Sequence, residues 1–344
     1  MHQAGSGSLS KGVNDPVPHE PLGPDEVFQA PPESAPYPSL EIGNLEVGDP
    51  RDHPRIPDLD NDNPYSLFYT QRPNLFGEQI PDEWDFGNII ATDRPDFTDA
   101  PFTVGRKVTV VETGYTFRRI SADGLTVNRR QLPEVLLRAG ITNEFELRFR
   151  WNGYVMLDEH DAATGMRNSQ FGGDDVVAGF KWEMVQQRAW RPMLTLVAGT
   201  TLPTGTNGIS ANQLQPFGNI VYGWGLRRWL YLKGSSGVDF VRTTSTTIVN
   251  DGFSAPFFIS PRDNLNLYHQ SISMLAQFSK RVGGFYEWFS FYSTGADDNR
   301  AANYLDTGLF IYATPNVQLD VRIGGRVSHR TDELFTGAGF SVRY

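Results

Sequence analysis

One short constellation in the 344 residues has the residue types and spacing of nucleophilic chemistry: His269-Gln270-Ser271. On a β-strand, positions two apart share a face, so the imidazole could take the hydroxyl proton and make the serine a nucleophile. The simpler alternative is a polar pair serving the fold, and a fragment of this length favours it. Other chemistry finds less support. Cysteine is absent, which removes thiolate metal sites, thiol nucleophiles and disulfides. The histidines, at positions 2, 19, 53, 160, 269 and 329, have no metal-ligand spacing, so neither a metal nor a cofactor is expected. Gly283-Gly284 and Gly324-Gly325 are not followed by helical periodicity; they read as bends or tight packing rather than phosphate cradles. Asp174-Asp175 and Asp297-Asp298 fall at strand ends or loops. Asp297-Asp298-Asn299 offers oxygen ligands for Ca²⁺, but a solvated loop accounts for it as well.

The elements that would position such residues divide the chain in two. Residues 1–100 hold 5 Lys/Arg against 19 Asp/Glu and 15 of the 23 prolines, whereas residues 101–344 carry a small positive excess. Proline removes backbone donors and acidic charges repel, so residues 1–95 are expected to form a disordered, extended, Pro-rich acidic arm. A second reading has the arm fold back to plug a pore, with Leu67, Phe68, Tyr69, Leu75, Phe76, Trp84 and Phe86 as apolar anchors. The acidic charge argues against nucleic acid as a partner. No run approaches the roughly 18 apolar residues of a membrane helix. The start, MHQAGSGSLSKGVNDP, does not read as a secretory signal; an added Met or a misassigned start would reconcile it with export.

From about Val104 the period becomes two. Phe145, Leu147, Phe149 and Trp151 alternate with Glu144, Glu146, Arg148 and Arg150; Val317, Leu319, Val321 and Ile323 alternate with Gln318, Asp320 and Arg322. Such alternation suits a soluble sandwich or a membrane barrel. The count separates them: strands are expected near 104–121, 132–141, 143–157, 173–186, 192–202, 215–226, 229–246, 265–281, 284–294, 302–313, 315–328 and 334–344. An even number permits up-and-down closure. Tight joins such as 140–143, 188–191 and 314–316 alternate with long polar ones such as 158–172, 203–214 and 247–264. Trp182, Trp190, Trp224, Trp229, Tyr231, Trp288 and Tyr312 read as an interfacial belt beside the short turns. The fold class expected is therefore all-β: a transmembrane antiparallel up-and-down β-barrel of about 12 strands over residues 96–344.

In hydrocarbon a charged side chain costs a few kcal/mol, so the charged faces must point inward. The pore-lining candidates are Glu112, Glu144, Glu146, Arg148, Arg150, Lys181, Glu183, Asp239, Gln318, Asp320, Arg322 and Arg326. In a narrow barrel they would pair into a neutralising ladder; in a wider one they would form a selectivity lining. The same parity turns His269 and Ser271 inward, and Ile272–Gln277 lacks the Asn and Gly that outer-membrane lipid hydrolases place after such a pair.

Four blocks in order resemble one family: TDRPDFTDAPFTVGRKVTVVETGYTF (92–117), LPEVLLRAGITNEFELRF (132–149), FGGDDVVAGFKWEMVQQ (171–187) and PMLTLVAGTTLPTG (192–205). They are similar to the outer-membrane β-barrels assigned to the meta-pathway of phenol degradation, often called transporters. The acidic arm before Thr92 departs from the usual member. The resemblance implies a barrel and uptake of small, often hydrophobic or aromatic compounds; with no nucleotide-binding element or catalytic motif in the sequence, the uptake is expected to be passive, through the bacterial outer membrane, and the chain is not expected to be an enzyme. The expected partners are outer-membrane lipid and lipopolysaccharide, a small-molecule solute, and the barrel-assembly machinery acting on the C-terminal strand ending Tyr344. A structural or adhesive envelope barrel with a filled lumen is the alternative, and a barrel lipid hydrolase using His269 and Ser271 the third reading.

Overall fold

The computed structural model describes residues 90–227, 229–242, 248–249, 257–258, 264–294, 301–328 and 331–344. Residues 1–89 of the arm expected over residues 1–95, with its aromatic anchors, and also Asp297-Asp298-Asn299 and His329, lie outside the described residues.

The strands are β1 (Thr109–Ala122), β2 (Leu125–Gly140), β3 (Phe145–Trp151), β4 (Tyr154–Asp161), β5 (Arg167–Gly173), β6 (Val176–Val185), β7 (Met193–Leu202) and β8 (Gln215–Arg227). They continue as β9 (Leu230–Arg242), β10 (Ile248–Val249), β11 (Phe257–Phe258), β12 (Asn264–Gln277), β13 (Val282–Thr294), β14 (Ala301–Thr314), β15 (Val317–Arg326) and β16 (Asp332–Arg343). β10 and β11 form a small hairpin of their own, and the remaining 14 belong to one antiparallel sheet. β1 pairs with both β2 and β16, from Val110 opposite Arg343 to Ser121 opposite Asp332, so the sheet closes on itself. Closure leaves no edge across the wall, the condition under which a sheet can sit in lipid.

Two of the wall's strands are each broken in two. β2 pairs with β4 through Leu132 opposite Tyr154 and with β3 through Val135 opposite Trp151. Pro133, which has no N–H to give, lies between those two pairings. Its carbonyl approaches Gly153, whose φ is +77°, so closely that a Cβ there would collide with it. The break between β5 and β6 falls at Asp174-Asp175. Counting each broken pair once gives twelve spans, as the alternating pattern required.

Several boundaries differ from expectation; β1, for one, begins at Thr109 rather than near 104. β2 begins seven residues before the expected 132, because Asp123-Gly124, with φ of 49° and 85°, makes a two-residue hairpin turn. Asn128–Gln131, outside every expected strand, belongs to β2, and two of its residues, Arg129 and Gln131, are inward and buried. The segment expected as a long loop at 158–172 is mostly the β4–β5 hairpin.

The two faces settle the choice between sandwich and membrane barrel. Leu147, Phe149, Leu309, Ile311, Leu319, Val321 and Ile323 are exposed on the outside, several by about half their area, as at Val321 (51%). Their strand neighbours Glu146, Arg148, Asp320 and Arg322 are buried inside. A water-soluble barrel would have this reversed, since an apolar band of this extent is unfavourable in water. Trp182, Trp190 and Trp229 lie on that outer surface, but Tyr231 and Tyr312, assigned to the same belt, are buried inside.

Candidate functional site

Residues 90–104 run inside the barrel. Ile90 donates its N–H to the Pro315 carbonyl (2.7 Å) in the β14–β15 turn, and Val104 donates to Glu146 Oε2 (2.8 Å), so both ends of this luminal loop lie at the short-turn rim. Non-helical backbone at membrane depth needs partners for its polar groups, and the wall supplies them. Glu112 accepts the N–H groups of Asp93 and Arg94 (2.9–3.1 Å), and Glu287 accepts those of Phe97 (2.6 Å) and Thr98 (2.9 Å). Lys233 Nζ donates to the Thr98 carbonyl (2.6 Å), Arg322 Nη1 to the Pro95 carbonyl (3.1 Å), and Arg138 to the carbonyls of Ala91 (3.3 Å) and Phe102 (3.2 Å).

Charged pairs lock the same loop. Asp93 Oδ1 lies 2.8 Å from Lys181 Nζ, and Asp93 Oδ2 lies 2.9 Å from Arg148 and 3.5 Å from Arg138. Oδ1 also accepts the N–H of Ala100 (2.8 Å), which folds the loop back on itself. Arg94 pairs with Glu134 (2.9 Å) and Asp320 (3.3 Å), Asp96 with Lys233 (2.9 Å), and Asp99 with Arg148 (3.1 Å). Beneath these pairs, Ile90, Ala100 and Phe102 join Val110, Met193 and Phe310 in an apolar layer at the short-turn rim. Loop and wall together fill the lower lumen.

The twelve residues expected to face the pore divide accordingly. Glu112, Glu146, Arg148, Lys181, Gln318, Asp320 and Arg322 are buried around the loop, and Gln318 Nε2 reaches Thr92 Oγ1 (2.9 Å). Glu183 is buried near the short-turn rim, while Arg150 and Asp239 are half-buried and Arg326 donates to Ser328 Oγ (2.9 Å). Glu144 does not join them. It sits exposed in the β2–β3 turn, hydrogen-bonded to Thr142, because the strand it was assigned to starts one residue later. Missed were the loop's own charges, Asp93, Arg94, Asp96 and Asp99, and the wall residues Arg138, Glu134, Lys233, Glu287 and Asp306. A usable signal was present: an inward stripe with this many cations needs interior anions, and the acidic run just before the first strand is where they come from.

His269 and Ser271 both face inward, but the hydrolase geometry is not formed. The Ser271 hydroxyl shares hydrogen bonds with Thr98 (2.6 Å) and Ser235 (2.7 Å), while His269 Nε2 lies 3.8 Å from Asp239. Among the described residues, no group of three or more His, Cys, Asp or Glu could hold a metal ion.

Comparison with known proteins agrees with the fold. The model of the family described as "Putative MetA-pathway of phenol degradation" matches residues 92–344. An outer-membrane channel from Pseudomonas putida F1 is similar at 12% identity and a TM-score of 0.51, over 78% of this chain and 100% of that one. The β domain of the Bordetella autotransporter BrkA is similar at 10% identity and a TM-score of 0.50, over 69% of this chain and 100% of that one. No curated protein matches the chain.

Proposed function

The chain belongs to that family, and on that premise we propose that it is an outer-membrane channel for passive uptake of small hydrophobic or aromatic compounds, opened by movement of its luminal loop. The observation that carries this reading is the pairing of an apolar exterior with a charged interior closed by a segment held only by hydrogen bonds, ion pairs and packing. Withdrawal of that segment would expose Glu112, Arg148, Lys181, Asp320 and Arg322 as a mixed-charge lining. The reading is of a passive route: the sequence has no nucleotide-binding motif, and a channel needs none. The outer belt would meet lipid and, on one leaflet, lipopolysaccharide; the short-turn rim, with both barrel ends, would face the periplasm. Assembly would proceed through the C-terminal strand that ends at Tyr344.

The filled lumen also favours a second reading, an envelope barrel whose role is structural or adhesive. One experiment separates the two. Thr98 and Ser271 Oγ atoms lie 2.6 Å apart, and the chain has no other cysteine to interfere, so Thr98→Cys with Ser271→Cys can tie the loop tip to the wall. In planar bilayers the reduced protein should show conductance steps that vanish on oxidation and return with dithiothreitol. Absence of steps in both the wild type and the reduced variant would reject the channel and leave the structural barrel.

A further inference from the structure

The short-turn rim carries its cations in pairs. Arg106 and Lys107 precede β1, Arg188 and Arg191 close the β6–β7 turn, and Lys280 and Arg281 lie in the β12–β13 turn, all exposed. Among the described residues these side chains form no ion pair. Glu144 is an exposed acid on the same rim, and its carboxylate accepts from the Thr142 hydroxyl (3.2 Å). The turns at the other rim do not repeat the pattern. There β1 joins β2 through Asp123-Gly124, and Asp161 accepts the Ala163 N–H (2.8 Å) in the β4–β5 turn.

Hydrogen bonds join the short turns into one arc. The Lys107 N–H donates to the Gly140 carbonyl (3.0 Å) and the Glu183 N–H to the Glu144 carbonyl (2.8 Å), linking the start of β1, the β2–β3 turn and β6. Trp224 Nε1 on β8 donates to the Trp190 carbonyl (2.9 Å), and the Gln277 N–H on β12 to the Trp229 carbonyl (2.8 Å). Along this arc large apolar side chains are exposed beside the cations: Ile141 (50%), Trp190 (71%), Trp229 (52%) and Phe278 (62%). A ring with a cation next to it suits the boundary where hydrocarbon meets headgroups. The cations are also crowded. Arg188 and Arg191 exchange both backbone hydrogen bonds (2.9 and 3.1 Å), so like charges stand directly opposite each other. Such a pairing costs free energy that a bound anion offsets.

We propose that this arc binds anionic phospholipids, with phosphates at the paired cations and acyl chains along Trp190, Trp229 and Phe278. The inference rests on the membrane placement of the barrel and names the headgroup chemistry that one rim selects. Its occupant is a phospholipid rather than lipopolysaccharide, because the arc lies on the short-turn side, away from the leaflet that holds lipopolysaccharide. The exposed rings decide against an acidic protein, which would pair the cations and leave the aromatics in water.

The test is tryptophan fluorescence of the full chain in vesicles of phosphatidylglycerol and phosphatidylcholine in equal parts. One lipid or the other carries brominated acyl chains, which quench tryptophan on contact. Brominated phosphatidylglycerol should quench more, by a local enrichment of roughly three- to fivefold, the scale of one or two screened charges at a membrane surface. Arg188→Gln, Arg191→Gln, Lys280→Gln and Arg281→Gln together should bring the enrichment close to unity with the heat-dependent mobility unchanged. Equal quenching by the two lipids in the wild type overturns the proposal and leaves the arc to an acidic protein. A preference that the combined variant retains overturns it as well. Should that variant fail to fold, either pair of substitutions alone should remove part of the preference, and no loss from either is equally fatal. A chain that stays in solution and is quenched by neither lipid removes the membrane placement itself, which separates the two failures.

Discussion

At Asp93 three cations of the wall, Lys181, Arg148 and Arg138, converge on one carboxylate that is itself buried. Removing one partner from such a group leaves charge stranded in a poorly solvated interior. Asp93→Asn should therefore destabilise the folded barrel by roughly 3 kcal/mol and lengthen channel openings, read by denaturant titration of the heat-resistant band and by bilayer recording. Glu144→Gln is the matching control; in its exposed turn it should shift stability by less than about 0.5 kcal/mol and leave conductance alone. Strand parity was enough to point Glu146, Arg148, Lys181 and Asp320 inward, because period two is a local property of the chain. Parity could not pair them. The partners of Arg148, Lys181 and Asp320 lie on a segment with no period at all, and the Asp93–Lys181 contact spans 88 positions.

At the scale of elements, the β3–β4 break shows how one imino acid shapes a wall. Pro133 withholds a donor, the facing strand parts at Asn152-Gly153, and the Gly153 backbone takes a φ of +77° against the Pro133 carbonyl. Gly153→Ala meets both a left-handed backbone and a collision, so a loss of about 2–3 kcal/mol is expected. It would appear as a lower temperature for conversion of the fast-migrating folded band. Apart from β10 and β11, which fall in the expected 247–264 loop, the strands from β6 to β16 were readable because greasy and polar residues alternate between turn residues. β2 was not, since Arg129 and Arg130 occur together and only Arg129 points inward, so the alternation is obscured by polarity. The Asp123-Gly124 pair was the better guide there: it is a hairpin signal in its own right.

For the whole molecule the expectation is physical inversion: detergent or lipid covers the apolar band, and the charged groups stay inside. Unboiled protein in SDS should migrate apart from boiled protein, whereas a barrel that stayed monodisperse in plain buffer would contradict the outward placement of Val321, Ile323 and Leu309. The barrel also closes around something. Arg94 lies over Gly114 on β1 and Gly339 on β16, and a Cβ at either glycine would collide with its guanidinium. Those two strands form the seam where the first span meets the last. The seam is thus tailored to the loop: a larger side chain at Gly114 or Gly339 would have to push Arg94 out of the trough in which it lies.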